Sequence, residues 1–193
     1  AAVAALAQRN FQRYEISNFA RSPDARSLHN LAYWRNEAWL AAGPSASAHI
    51  PSHAAKASPA DFAPPAHRWK NTPRLGEWMR TVHATKGHAP ITDHEPPNRA
   101  RALKERIMMG LRLAEGLDER ALLDAAETLD AETPLLRAID EQIDRARLAR
   151  AGARIACTDE GMLLLNDVAL ALMDAIPDEK DRTPPHTRAE TPA

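Results

Sequence analysis

A single cysteine, Cys157, stands among the 193 residues. That excludes an internal disulfide framework. It also excludes any iron–sulfur cluster held by several thiolates of this chain. Long apolar runs are missing too. None approaches the length that a membrane span needs, so no transmembrane segment is expected. The opening residues "AAVAALAQRN" lack a basic n-region and a cleavage pattern, and no secretory leader is expected. Repeats of solenoid length and coiled-coil heptads are absent as well. A reducing, cytoplasmic setting is the expectation that follows.

What is present is an ordinary apolar fraction, 44%, in a chain long enough for one large domain or two small ones. The net charge is −1, but it is spread unevenly. Residues 1–97 hold 11 Lys+Arg against 7 Asp+Glu, and residues 98–176 hold 11 against 15. Seven of the eight histidines precede residue 98, and nine of the fifteen prolines fall between residues 44 and 97. The two parts differ in kind, and a boundary is expected near Pro96-Pro97. The three expected regions are 1–97, 98–176 and a polar, proline-bearing tail, 177–193, read as disordered.

The chain opens in a helical pattern with no residue available to cap it, which reads as a cut edge. In "RYEISNFA", Tyr14, Ile16 and Asn18 alternate with Glu15, Ser17 and Phe19 and predict a strand. "RSPDARSLHN" reads as a loop turning at Pro23-Asp24. Trp34 and Trp39 are placed on either side of a turn at Arg35-Asn36-Glu37, with a strand over Ala38–Ala42. The proline-rich segment that follows reads as loop, with one short strand near Ala46–Ile50. "RLGEWMRTVHATKG" is a short helix stopped by Gly87.

After residue 98 the period becomes helical. Leu103, Ile107, Leu111 and Ala114 predict a helix closed by Gly116. Leu122, Leu123, Ala126 and Leu129 predict a second. Leu135, Leu136, Ile139 and Ile143 predict a third, starting with Thr133 as N-cap and Pro134 at N1. "ARIACT" is a short strand, and Thr158 caps a last helix striped by Leu165, Val168, Leu172 and Ile176. Three helices, a strand pair and a closing helix suggest a winged-helix-like module. Its net −4 argues against nucleic acid, because phosphate neutralisation provides most of the affinity for DNA.

Other constellations are weaker. His49, His53, His83, His88 and His94 invite a metal hypothesis, but Pro51 separates the first two, and no cysteine or carboxylate stands at zinc-like spacing. Ser45 and Ser47 near His49 lack any nucleophile-elbow pattern. Met108 and Met109 sit at the edge of an apolar helical face. Cys157 reads as a small buried side chain.

The order "YEISNFA", "HNLAYW", a glycine-bearing turn, "RWKN" in a proline-rich loop, "ERIMMGLRLAEGLD" and "CTDEGMLLLNDV" carries a resemblance. Up to about Ile176, the chain resembles the C-terminal half of the oxygen-independent coproporphyrinogen III oxidase-like radical SAM proteins. It is most similar to their haem chaperone branch. The resemblance implies an α+β fold, with trailing strands of a partial radical SAM (β/α) barrel followed by a helical winged-helix-like C-terminal domain. It implies S-adenosylmethionine and a [4Fe–4S] cluster in the full-length proteins, held through a CxxxCxxC loop. This chain has no such loop, so it reads as a fragment or a remnant and is not expected to be active alone.

The pattern His29-Asn30-x-x-Tyr33-Trp34 is linked in the haem chaperones to haem binding. The resemblance therefore implies His29 as a ligand to haem iron. It makes Tyr33 and Trp34 flat faces for the macrocycle, and Asn30 the group that orients the imidazole. Haem and haem-accepting proteins are the implied partners. The alternative is structural: His29 and Asn30 bond a neighbouring loop, while Tyr33 and Trp34 are core. Both can hold together. In "AAGPSASAH", Gly43, Pro44 and Ala46 follow a family turn often written Gly-Pro-Gly-Ala-His. Ser45 replaces a glycine, and His49 falls two residues late. Gly43 is thus a structural turn first and a ligand contact second. Two further functions stay open: a fragment of a coproporphyrinogen III dehydrogenase, and a stand-alone helical interaction module.

Overall fold

The computed structural model describes residues 2–52, 65–87 and 90–178. Most of the tail expected to be disordered lies outside these residues, as do His53 and His88. The architecture is α+β. The first part runs α1 (Ala2–Ala7), β1 (Gln12–Arg13), β2 (Phe19–Ala20), α2 (Leu28–Trp34), β3 (Ser47–Pro51), β4 (Ala66–Asn71), α3 (Leu75–Ala84) and β5 (Ile91–Glu95). The second runs α4 (Arg99–Gly110), β6 (Leu117–Asp118), α5 (Glu119–Glu127), α6 (Glu132–Asp144), β7 (Leu148–Ala151), β8 (Arg154–Cys157), α7 (Asp159–Leu163) and α8 (Leu165–Asp174).

The main core belongs to the second part. Leu103, Ile107, Leu111, Leu122, Leu135, Ile139, Val168 and Leu172 meet in one buried cluster. Each predicted helical stripe contributes, because residues three and four apart share a helix face. Asn98, Asp118 and Thr158 cap α4, α5 and α7 by accepting from Arg101 N, Ala121 N and Gly161 N. Such caps are worth about 1 kcal/mol each. The strands β6, β8 and β7 form an antiparallel sheet beside the helices, with β8 in the centre.

Several boundaries differ from the sequence reading, each for a physical reason. The helix expected to reach Gly116 ends at Gly110. Residues beyond it are drawn out to pair with the first part, through a bridge between Glu15 and Leu113 and a bond from Ala114 N to Tyr14 O of 3.1 Å. The third helix starts at Glu132, with Ala131 at the N-cap and no side-chain cap. Pro134 sits in its first turn, where the N–H it lacks has no partner anyway. Leu136 lies outside the stripe at 36% exposure, turned about 100° round the helix from the buried Leu135. The last helix is interrupted at Leu164, after which Leu165, Val168, Leu172 and Ile176 are all buried.

The first part is held by smaller contacts. "YEISNFA" is a tight hairpin rather than one strand, with Gln12 opposite Ala20 and Arg13 opposite Phe19. Residues 47–95 supply an antiparallel sheet in the order β3-β4-β5. Its central strand β4 contains "RWKN", where the surrounding prolines predict a loop. Pro65 and Pro73 flank this strand and never interrupt it, so the ladder loses no donor. Over residues 38–42 no strand forms. Only Trp39 pairs, exchanging both backbone bonds with His49 at 2.9 and 3.0 Å.

The two parts meet along α4. Arg68 of β4 bonds Glu105, Arg101 reaches Glu95 at 3.4 Å, and Arg106 donates to Arg35 O at 3.4 Å. These ion pairs are partly exposed and individually weak. Register between the parts therefore rests mainly on the Glu15–Leu113 bridge and the small cluster of Tyr14, Ala20, Leu31 and Leu113.

Candidate functional site

The segment "SLHNLAYW" is helical, not looped. Ser27 is the N-cap of α2, its Oγ accepting from Asn30 N at 3.3 Å. The Tyr14 hydroxyl accepts from Ser27 N at 3.0 Å and ties the cap to the hairpin. A serine four residues before the apolar helical pair Leu31 and Trp34 is the signal that the loop reading passed over.

Helix geometry then divides the motif. Leu31 and Trp34, three apart, face inward. Leu31 is buried, and the Trp34 indole N–H donates to Glu15 Oε2 at 2.9 Å. The Arg112 guanidinium lies 5.5 Å from the centre of the Trp34 ring. His29 and Tyr33, four apart, share the outer face, and Tyr33 is 38% exposed. Trp34 is thus not beside Tyr33 on one open surface. Its polar tip is committed to a buried carboxylate, and its ring anchors the helix.

Among the described residues no hydrogen bond joins the side chains of Asn30 and His29, because consecutive helical positions point about 100° apart. Asn30 contributes the backbone N–H that Ser27 caps.

The outer face continues beyond the motif. Tyr33 meets Trp39 with centroids 4.8 Å apart and planes at 53°. Trp39 stacks on His49 at 4.7 Å and 18°. The Trp39 indole N–H donates to Ser47 O at 3.1 Å. His49 is 2% exposed, and among the described residues neither of its ring nitrogens has a hydrogen-bond partner. Burial, and then the charges of Arg68 and Arg101, push its pKa down to about 4. The ring is therefore neutral near pH 7. Sequence reasoning missed Trp39 and treated His49 as a displaced turn residue. The available signal was the return of an aromatic five positions past Trp34, but pairing to a strand ten residues later is not legible locally.

Gly43 forms a turn with φ 89°, and Ser45 follows at φ 62°. Gly43 O accepts from Asn71 Nδ2 at 2.8 Å, and Ser45 N donates to Thr72 O at 3.2 Å. A Cβ at Gly43 would meet nothing within 4 Å. The glycine is needed here for its backbone angle, and no close approach requires it. A cavity of about 460 Å³ between α4 and α8 is lined by Asn98, Arg101, Lys104, Glu105, Met108, Met173 and Asp178. None of the motif residues reaches it.

No three metal-binding side chains converge among the described residues. His67 and His94 lie with Nδ1 and Nε2 3.2 Å apart across β4 and β5. Cys157 is half-buried, its thiol pushed up to about 11 by burial. One such thiol cannot supply the three thiolates that a radical SAM cluster needs, so the cluster and its S-adenosylmethionine do not fit the residues of this chain.

The fold and sequence together define a class. Residues 98–164 match the family of the HemN C-terminal domain. Together with the relatives that follow, this match supports a HemN/HemW-like C-terminal portion. The chain is 27% identical to the bovine mitochondrial protein named radical S-adenosyl methionine domain-containing protein 1, over 94% of this chain and 40% of that one. It is 26% identical to heme chaperone HemW of Lactococcus lactis, over 84% of this chain and 38% of that one. The solved structure of coproporphyrinogen III oxidase (HemN) from Escherichia coli matches with a TM-score of 0.57 at 16% identity, covering 89% of this chain and 39% of that one. The chain thus spans about two fifths of the length of these relatives. No described helix is long and apolar enough to cross a membrane.

Proposed function

We propose that this chain contributes a haem-contact surface to a radical SAM haem chaperone, and that haem is its cargo, to be passed on to haem proteins. The observation that carries this reading is the pairing of His29 and Tyr33 on one exposed face of α2. An imidazole can ligate haem iron axially. Tyr33 supplies an apolar ring beside it with a polar tip. Leu31, Trp34 and the Ser27 cap hold the helix from the other side, so the imidazole is presented from a fixed element. Asn30 stands at the rim of that surface. Gly43 shapes the turn that leads on to β3.

An open face suits a protein that must release what it binds. The likeness to a relative named heme chaperone supports the choice of ligand. The likeness to coproporphyrinogen III oxidase, at 16% identity, carries the architecture alone. A reducing, cytoplasmic or mitochondrial setting accords with the single cysteine and with the relatives' names.

The test is a haem titration of the purified chain, following the Soret band for wild type and His29→Ala. The variant is expected to lose the shifted band. Coincident spectra would show that His29 is not a ligand.

A further inference from the structure

Besides its imidazole, the motif that the haem reading starts from contains two rings, Tyr33 and Trp34, but only Tyr33 lies on the outer face. Trp34 spends its indole N–H on Glu15 Oε2, a carboxylate in a fully buried residue, and carries the Arg112 guanidinium near its ring. Pulling it outward would strand that carboxylate, whose Oε1 already lacks a partner among the described residues. The ring that does continue the outer face is Trp39, which lies outside the motif.

Trp39 is held on three sides. Its backbone exchanges two hydrogen bonds with His49, its indole N–H is satisfied by Ser47 O, and the His49 ring covers one face. Because His49 is uncharged near neutral pH, it backs the indole as an apolar plate. The side of Trp39 toward Tyr33 is thereby fixed without further ordering, which is what preorganisation requires. His29, Tyr33, Trp39 and His49 follow one another at centroid separations of 4.9, 4.8 and 4.7 Å.

We infer that Tyr33 and Trp39 together form a ring wall for planar tetrapyrroles, and that this wall accepts the macrocycle whether or not it carries iron. Trp34 is a positioning residue for α2. The inference rests on the haem reading for the class of ligand. It does not rest on iron ligation by His29, and the two separate experimentally.

The probe is metal-free protoporphyrin IX, which has no iron to ligate. Its affinity for the full chain is read from its own absorbance and emission, alongside a haem titration of the same proteins. Trp39→Ala is expected to weaken protoporphyrin binding about tenfold, the weight of a lost ring contact and its buried area. Trp39→Phe, which keeps a ring, is expected within about twofold of wild type. Trp39→Leu keeps apolar bulk without a ring and is expected to fall with Trp39→Ala. This guards against a folding defect in the alanine variant. Trp78→Phe, in α3, serves as the control and is expected to bind as wild type.

His29→Ala is expected to lose the haem Soret shift. If folded Trp39→Ala and Trp39→Leu bind protoporphyrin like wild type, the wall is refuted. If both weaken while His29→Ala leaves the haem spectrum unchanged, the wall stands and iron ligation by His29 fails.

Discussion

Tyr33 meets His29 edge-on, with ring centroids 4.9 Å apart and planes at 80°, one helical turn apart on α2. The contact limits how far the imidazole can swing. It also makes the ring, rather than the hydroxyl, the useful part of Tyr33.

Tyr33→Phe should therefore bind haem within about twofold of wild type, and Tyr33→Ala should bind several-fold more weakly, as expected for an edge-to-face contact of about 1 kcal/mol. A Soret titration of the three proteins decides it. Equal affinities for the alanine and phenylalanine variants would assign the hydroxyl, not the ring, to binding.

His49 makes stability depend on pH. Its pKa falls from an ordinary 6.5 to about 4 in the folded chain, so between these values the unfolded state binds more protons. Stability is then full above about pH 6.5 and is lost as the pH falls toward 4. The loss from this one group is on the order of 2 kcal/mol at pH 5. Urea unfolding at pH 7 and pH 5 should show it, and His49→Phe should lower the difference by about that amount. An unchanged difference in the variant would mean that His49 is not the group responsible.

Gly116 joins the end of the α4 region to β6. It has φ +64°, and a Cβ there would lie 1.9 Å from the Ile155 carbonyl oxygen. Both the backbone angle and the backbone neighbour oppose a side chain. Gly116→Ala is expected to cost more than about 2 kcal/mol, measured by thermal or urea unfolding. Gly152→Ala makes the comparison, since φ is +63° there but a Cβ would meet nothing within 4 Å. Similar losses at both sites would mean that φ alone matters and the close approach does not.

Cys157 packs against the main core, and its thiol is raised by burial from 9.0 to about 11. Near pH 8 its thiolate should be about a hundredfold rarer than in the unfolded chain. Alkylation by iodoacetamide is expected to be slower by at least that factor in the native protein. Native and urea-unfolded chains reacting at one rate would contradict the burial described here.

Legibility followed the range of the signal. Leu103, Ile107, Leu122, Leu135, Ile139, Val168 and Leu172 were each marked as core by a period that lies within one helix, and each is buried. Thr158 was readable as a cap because its partner, Gly161 N, is three residues away. The choice of Thr133 as a cap went wrong within the same helix, because helix nucleation tolerates Pro134 anywhere in the first turn.

The site was legible only in part. His29 and Tyr33 stood out by type and spacing, and a helix four residues apart brings them together. That Trp34 turns inward depends on Glu15, nineteen residues away, and on Arg112 in the other part of the chain. That Trp39 continues the outer face depends on its pairing with His49 and on the indole bond to Ser47.

By itself, then, the sequence determined the helices of the second part, the Thr158 cap, the shortage of thiolates, and the residue types of the motif. These follow from composition and from interactions within a few residues. Tertiary structure alone decided the β3-β4-β5 order, the drawing-out of residues 111–116, and which aromatic rings face out. Strand pairing and burial join residues far apart in the chain, and local periodicity holds no record of which partner each ring will meet.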